Sequence, residues 1–126
     1  MSELRPLQLG HPRTPLRRQL VDAVLAGRKT ATAGLFAEYV AEGVTVGAVG
    51  NRRVLLGYED EPVAIVEITE ARIVPAREID VSFARDEGEG FVSVEDWRLA
   101  HERFFEQAIT PETEIVAVRF RVTERL

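Results

Sequence analysis

Leu25-Ala26-Gly27-Arg28-Lys29-Thr30-Ala31-Thr32-Ala33-Gly34 contains the only lysine of this chain, in which every other basic residue is arginine. Upstream of it, Thr14-Pro15 is followed by Leu16, Leu20, Val21, Val24 and Leu25. That pattern is an N-cap, a proline at the first helical position and one apolar stripe, so a helix is predicted from Pro15, with Gly27 closing it. Lys29–Thr32 then lies just past a helix C-terminus. Leu35–Ala41 is expected to add a short second helix ended by Gly43, and from Val44 the pattern turns β-rich. Val44–Val49, Arg53–Tyr58 and Pro62–Val74 read as strands, with Glu59-Asp60-Glu61 as a turn between two of them. A short helix within Pro75–Ala84, an acidic glycine loop at Asp86–Gly90, a strong helix over Val94–Gln107 capped by Ser93, and a last strand over Thr113–Thr123 complete the chain. This order lacks the regular βαβ alternation of a doubly wound sheet. It predicts an α+β domain, a small mixed or antiparallel β-barrel flanked by helices. Lys29 is placed in a cleft where the first helix ends at the barrel mouth.

A chain of 126 residues buries roughly two-thirds of its unfolded surface, enough for one core. The domain is drawn at 14–126, with residues 1–13 as an N-terminal extension. The absence of cysteine excludes disulfides, thiolate zinc sites and a cysteine nucleophile. With only His11 and His101, a histidine-rich metal site is excluded too, and no metal or cofactor is expected; a cation would have to sit on Asp86, Glu87 and Glu89. No basic start followed by a long apolar run opens the sequence, and no stretch reaches bilayer-spanning length, so a cytoplasmic protein without membrane contact is expected. Residues 1–56 carry eight basic and four acidic groups, net +4, and residues 57–126 carry eight and seventeen, net −9, which sum to −5. Such a chain does not coat polyphosphate indiscriminately. A locally basic face, with Arg17, Arg18, Arg28, Lys29, Arg52 and Arg53 as candidates, can still recruit a small or single-stranded ligand.

Lysine can lose its proton, which arginine cannot. Lys29 is therefore a candidate base or amine donor in a pocket, against the plainer reading of a solvated lysine in a turn. Amide hydrolysis needs a nucleophile, a proton shuttle and donors for a developing oxyanion. If the segment turns, Lys29 and Thr32 meet on one side and the amine can take the Thr32 hydroxyl proton; in a flat strand they face opposite ways. Glu87, flanked by Asp86 and Glu89, can steer the amine or protonate the leaving nitrogen. Trp97, His101, Phe104 and Phe105 share one helix face. Trp97 and Phe104 are expected to be core, with Trp97 or Tyr39 as alternative stacking planes for a base. His101 is read as a packing residue whose imidazole also suits acid–base work.

Gly27-Arg28-Lys29-Thr30-Ala31-Thr32 resembles the Gly-x-Lys-x-x-Thr signature of the ASCH domain, a branch of the PUA-like barrel superfamily. The similarity continues in Pro62–Glu70, in Phe83-Ala84-Arg85-Asp86-Glu87-Gly88-Glu89-Gly90 and in Trp97–Phe105. These segments stand in the order found in stand-alone bacterial ASCH proteins. The resemblance implies a PUA-like mixed β-barrel with helices around a cleft built for RNA or nucleoside-like ligands. Some members resemble amidohydrolases that deacylate N4-acetylcytidine with a Lys, a Thr and a Glu, which map onto Lys29, Thr32 and Glu87. Others are described as ribonucleases on single-stranded RNA. The C-terminal helix is closer to the stand-alone branch than to the short deacetylases. Around the catalytic three, the expected ligand-binding set is Arg17, Arg18, Arg28, Tyr39, Arg52, Glu89, Trp97 and His101. The alternative is a non-catalytic module that presents Arg17, Arg18, Arg28 and Arg52 to RNA phosphates.

Overall fold

The computed structural model describes residues 4–126, whose sheet is organised by two long antiparallel strands, β4 (Pro62–Pro75) and β5 (Glu114–Arg125). On the far side of β4 lie β3 (Arg52–Leu56) and then β1 (Arg5–Leu7); β2 (Ala31–Leu35) flanks β5, giving the order β1-β3-β4-β5-β2. Among the described residues, only β1 and β3 run parallel. The register between β4 and β5 shifts at Ile65/Val66 and again at Ile68/Glu70. Each shift inserts a bulge, which adds local twist, and the five strands curl into a half-barrel.

Among the described residues, four α-helices pack around it. Thr14 caps α1 (Pro15–Leu25) by accepting from the Arg17 backbone N–H at 3.1 Å, and α2 (Phe36–Glu42) ends on Gly43 at φ +66°. Asp80 caps α3 (Val81–Asp86) from Phe83 N–H at 2.8 Å, and Ser93 caps α4 (Val94–Phe105) from Asp96 N–H at 3.1 Å. Successive strand residues point to opposite faces, and β5 exploits both. Val116, Val118 and Phe120 join Leu20, Val21 and Val24 of α1 inside the curl. Ile115 and Ala117 pack on the other face with Phe83 and Trp97. The cleft described below lies where α1, β2 and the segment after α3 meet.

Four features depart from the sequence reading. Ala31–Leu35 is a strand although Ala and Gly are weak strand formers; its backbone pairs with β5 from Ala31↔Arg119 to Leu35↔Ile115. Val44–Val49 is not a strand but an irregular connection, with Val44 and Val49 exposed. The sheet begins inside the expected N-terminal extension: Arg5–Leu7 pairs with β3, and Leu9 is buried in the main core. Phe104, expected in the core, is 42% exposed and stacks on His11 with ring centroids 5.9 Å apart. Phe105 takes the inward position instead, packing against the second cluster.

Candidate active site

Three segments converge on Lys29. At the end of α1, the backbone N–H groups of Arg28 and Lys29 both donate to Ala23 O, at 2.9 and 3.1 Å, after Gly27 turns the chain at φ +82°. Thr30 then ties this turn to its neighbours: its N–H donates to Asp86 O at 2.7 Å and its carbonyl accepts from Phe120 N–H at 3.0 Å. The Lys29 side chain is held between them at 2% exposure. Its Nζ donates to Ala31 O at 2.8 Å and to Glu87 O at 3.2 Å. The carboxylate oxygens Glu87 Oε1 and Glu89 Oε2 each lie 3.6 Å from the same nitrogen. Gly88 permits this approach. At φ +71°, a Cβ there would sit 2.6 Å from Arg28 O and 2.8 Å from Lys29 Cα.

Glu87 is equally enclosed, at 1% exposure. Its Oε2 accepts the indole N–H of Trp97, and its Oε1 lies 3.3 Å from His101 Nε2. His101 Nδ1 lies 2.8 Å from the Trp97 carbonyl, and its ring stacks on the indole at 4.5 Å. A carbonyl only accepts, so Nδ1 carries a proton, and Nε2 can donate to Glu87 only from the imidazolium. Burial alone would push His101 down, but the hydrogen bond and charge of Glu87, then the Trp97 carbonyl, leave its pKa raised. Burial alone would push Glu87 up; the hydrogen bond and charge of His101, then Lys29 and Trp97, outweigh it and hold the carboxyl below its ordinary value. Glu89 goes the other way, raised by burial and by the charge of Glu87 against the pull of Lys29. The two acids are therefore inequivalent. One is a locked anion, and the other takes a proton more readily than a free carboxylate.

Lys29, Thr32, Glu87, Glu89 and His101 line one cleft of 310 Å³. The other expected site residues lie elsewhere. Trp97, 1% exposed, sits behind Glu87 and offers no open stacking plane. Tyr39 lines a neighbouring cavity of 460 Å³ that shares Gln8 and Thr32 with the cleft. Arg17 is a correction: at 0% exposure, it cannot be presented to phosphates. Its guanidinium donates to Leu9 O, Gly10 O, Gly57 O and Asp60 Oδ1 at 2.7–3.1 Å and fastens α1 to two loops. Arg18 lies 4.3 Å over the Tyr58 ring. Arg28 and Arg52 are exposed, and none of these four arginines lines the cleft. Asp86 pairs with Arg119, so of the three loop acids only Glu87 and Glu89 converge, on the Lys29 amine. Sequence reasoning missed Gln8, Leu9 and Gly10, which enter the cleft from the segment after β1. The one local signal was the apolar pair Leu7 and Leu9, spaced as in a strand.

A curled five-stranded sheet with helices around a cleft is the build of a PUA-like domain. The family model of the ASCH domain matches residues 10–124, and the chain belongs to that family. ASCH domains are PUA-like folds that in general bind RNA. A crystal structure of a protein from Enterococcus faecalis V583 is similar at 26% identity and a TM-score of 0.86, covering 99% of this chain and 79% of that one. The ASCH domain from Lactobacillus crispatus JV V101 is similar in fold at 24% identity and a TM-score of 0.80, covering 96% and 80%. No curated protein matches the chain. Among the described residues, no helix is long and apolar enough to cross a membrane.

Proposed function

We propose that the Lys29 cleft binds an RNA-derived or nucleoside-like ligand and hydrolyses an amide on its base, of the N4-acetylcytidine type. The observation that carries this reading is the Lys29 amine, 2% exposed and 3.6 Å from both Glu87 and Glu89, in a cleft that also presents Thr32. Its 310 Å³ volume lies at the small end of ligand sites, about 300–1,000 Å³. In the first step the Thr32 hydroxyl oxygen attacks the acyl carbon and its proton passes to the Lys29 amine. The carbon–nitrogen bond then breaks. The departing nitrogen takes a proton from Glu89, whose raised pKa suits a donor, and Lys29 beside it replaces that proton. Water then cleaves the acyl–threonine ester and restores the hydroxyl. Glu87, locked as an anion, positions Lys29 and His101 instead of protonating the leaving group. The alternative basic groove has lost one of its four arginines, because Arg17 is buried.

The test compares binding and hydrolysis of N4-acetylcytidine by wild type, Lys29→Arg and Lys29→Ala, with circular dichroism to establish that each is folded. Both variants are expected to lose turnover, because guanidinium does not deprotonate at accessible pH. Folded Lys29→Arg is expected to retain binding. Full activity in the arginine variant removes the proton-accepting role, and no turnover by wild type removes the acyl substrate.

A further inference from the structure

The 460 Å³ cavity beside the cleft has a floor of Val66, Ile68, Val118 and Phe120 and a wall built by β1 and β3. On that wall Arg5 and Arg53 are direct partners in the parallel β1–β3 register, and both line the cavity. Neighbouring side chains in register share a face, and like charges placed there repel. Among the described residues, neither guanidinium forms an ion pair. Arg53 is half-buried, with a hydrogen bond from Nη1 to Arg52 O at 3.0 Å. Its guanidinium lies over Gly47, where a Cβ would stand 2.9 Å from Nη2. Burial first, and then the charge of Arg5, lower its proton affinity, while its charge acts on Tyr39 across the same cavity. Arg5, Glu38 and Glu42 are all exposed, so solvent screens each of them, and the two acids face the arginine pair from α2 across the cavity. The result is two adjacent guanidinium groups, neither with an ion-pair partner among the described residues, in a concave wall that meets the Lys29 cleft at Thr32 and Gln8.

We infer that Arg5 and Arg53 form a phosphate subsite, so that the ligand of the neighbouring cleft is a nucleotide, free or within an RNA strand, instead of a bare nucleoside. Guanidinium groups match phosphate oxygens with paired hydrogen bonds, and a bound phosphate removes the repulsion between the two side chains. The placement of the base rests on the function proposed above; the phosphate site does not.

The experiment measures binding of cytidine, cytidine 5′-monophosphate, inorganic phosphate and the dinucleotide CpC by calorimetry at fixed ionic strength. The proteins are wild type, Arg5→Gln, Arg53→Gln and Arg77→Gln, the last removing an exposed arginine outside both cavities. Cytidine 5′-monophosphate is expected to bind wild type at least about tenfold tighter than cytidine. That advantage should shrink to within about threefold in Arg5→Gln and in Arg53→Gln, and persist in Arg77→Gln. Equal binding of nucleoside and nucleotide by wild type overturns the inference, and so does an equal loss in Arg77→Gln, which marks a general charge effect. Tighter binding of CpC with the same arginine dependence identifies RNA as the source of the phosphate; tighter binding of the monophosphate identifies a free nucleotide. Phosphate binding that depends on Arg5 and Arg53, in a protein that shows no affinity for cytidine, leaves this subsite standing while the base-binding role of the cleft fails.

Discussion

Replacing Glu87 with glutamine preserves the volume of a side chain that is 1% exposed and removes its charge. In the wild type, Oε1 faces His101 Nε2 at 3.3 Å and Lys29 Nζ at 3.6 Å, while Oε2 accepts the Trp97 indole N–H. An amide has one oxygen, so its NH₂ must face a donor that the second carboxylate oxygen had served. Removing one partner of a buried ionic contact costs about 3–5 kcal/mol. For a chain of this length each kcal/mol corresponds to about 3–5 °C, which predicts a fall in Tm of roughly 10–25 °C. The pH dependence carries its own sign. Glu87 has a folded pKa below its unfolded value, so its contribution is present above about pH 4.3 and is lost as pH falls through the folded value. His101 has a folded pKa above its unfolded value, so its contribution is complete below about pH 6.5 and is lost as pH rises through the folded value. The Tm difference between wild type and Glu87→Gln is therefore widest between about pH 4.5 and 6.5 and narrows on both sides. Scanning calorimetry over this range measures it, and an NMR titration of the His101 ring is expected to show a lower pKa in the variant, because its main upward influence is gone. A pH-independent Tm gap, or an unmoved His101 titration, overturns the assignment of Glu87 as the locked anion.

Gly88→Ala should lower Tm and displace the Lys29 turn, because the new methyl meets Arg28 O at 2.6 Å. Gly90→Ala, at φ +86° with nothing within 4 Å, carries only the left-handed backbone penalty of about 1–2 kcal/mol; thermal melts showing equal losses would sink the close-approach explanation. Trp97→Ala opens a cavity at a residue 1% exposed and should cost about 3–5 kcal/mol in urea denaturation. A variant that keeps full stability but loses ligand affinity would make Trp97 a stacking platform instead.

Helix ends were the most legible part of the chain, because their signals are local. Thr14-Pro15, Ser93 and Gly43 each act at the expected boundary. β2 was hidden because Ala31-Thr32-Ala33-Gly34 has little intrinsic strand preference, and its state is set by β5, far along the chain. Val44, Val46 and Val49 misled in the opposite direction: without a neighbouring strand, their apolar character does not make a ladder. Lys29 stood out by composition, and the family signature pointed to Thr32 and Glu87. The meeting of Glu87 with both Trp97 and His101 had no such marker, since it depends on how α3 and α4 fold against each other. Arg17 looked like any surface cation, and its acceptors come from residues 9, 10, 57 and 60, which no nearby pattern announces.

The anchoring of the Lys29 amine also bears on how the chain acquires its site during folding. Its hydrogen bond to Glu87 O spans 58 positions of sequence, and the strand that follows it pairs with β5 at the opposite end of the chain. Such long-range contacts close late, after loop entropy has been overcome. α1 can form early and still carry no cleft. The cleft comes into being only when the first and last thirds of the chain are joined, so a truncated or half-synthesised chain has the lysine without Glu87 and Glu89 beside it.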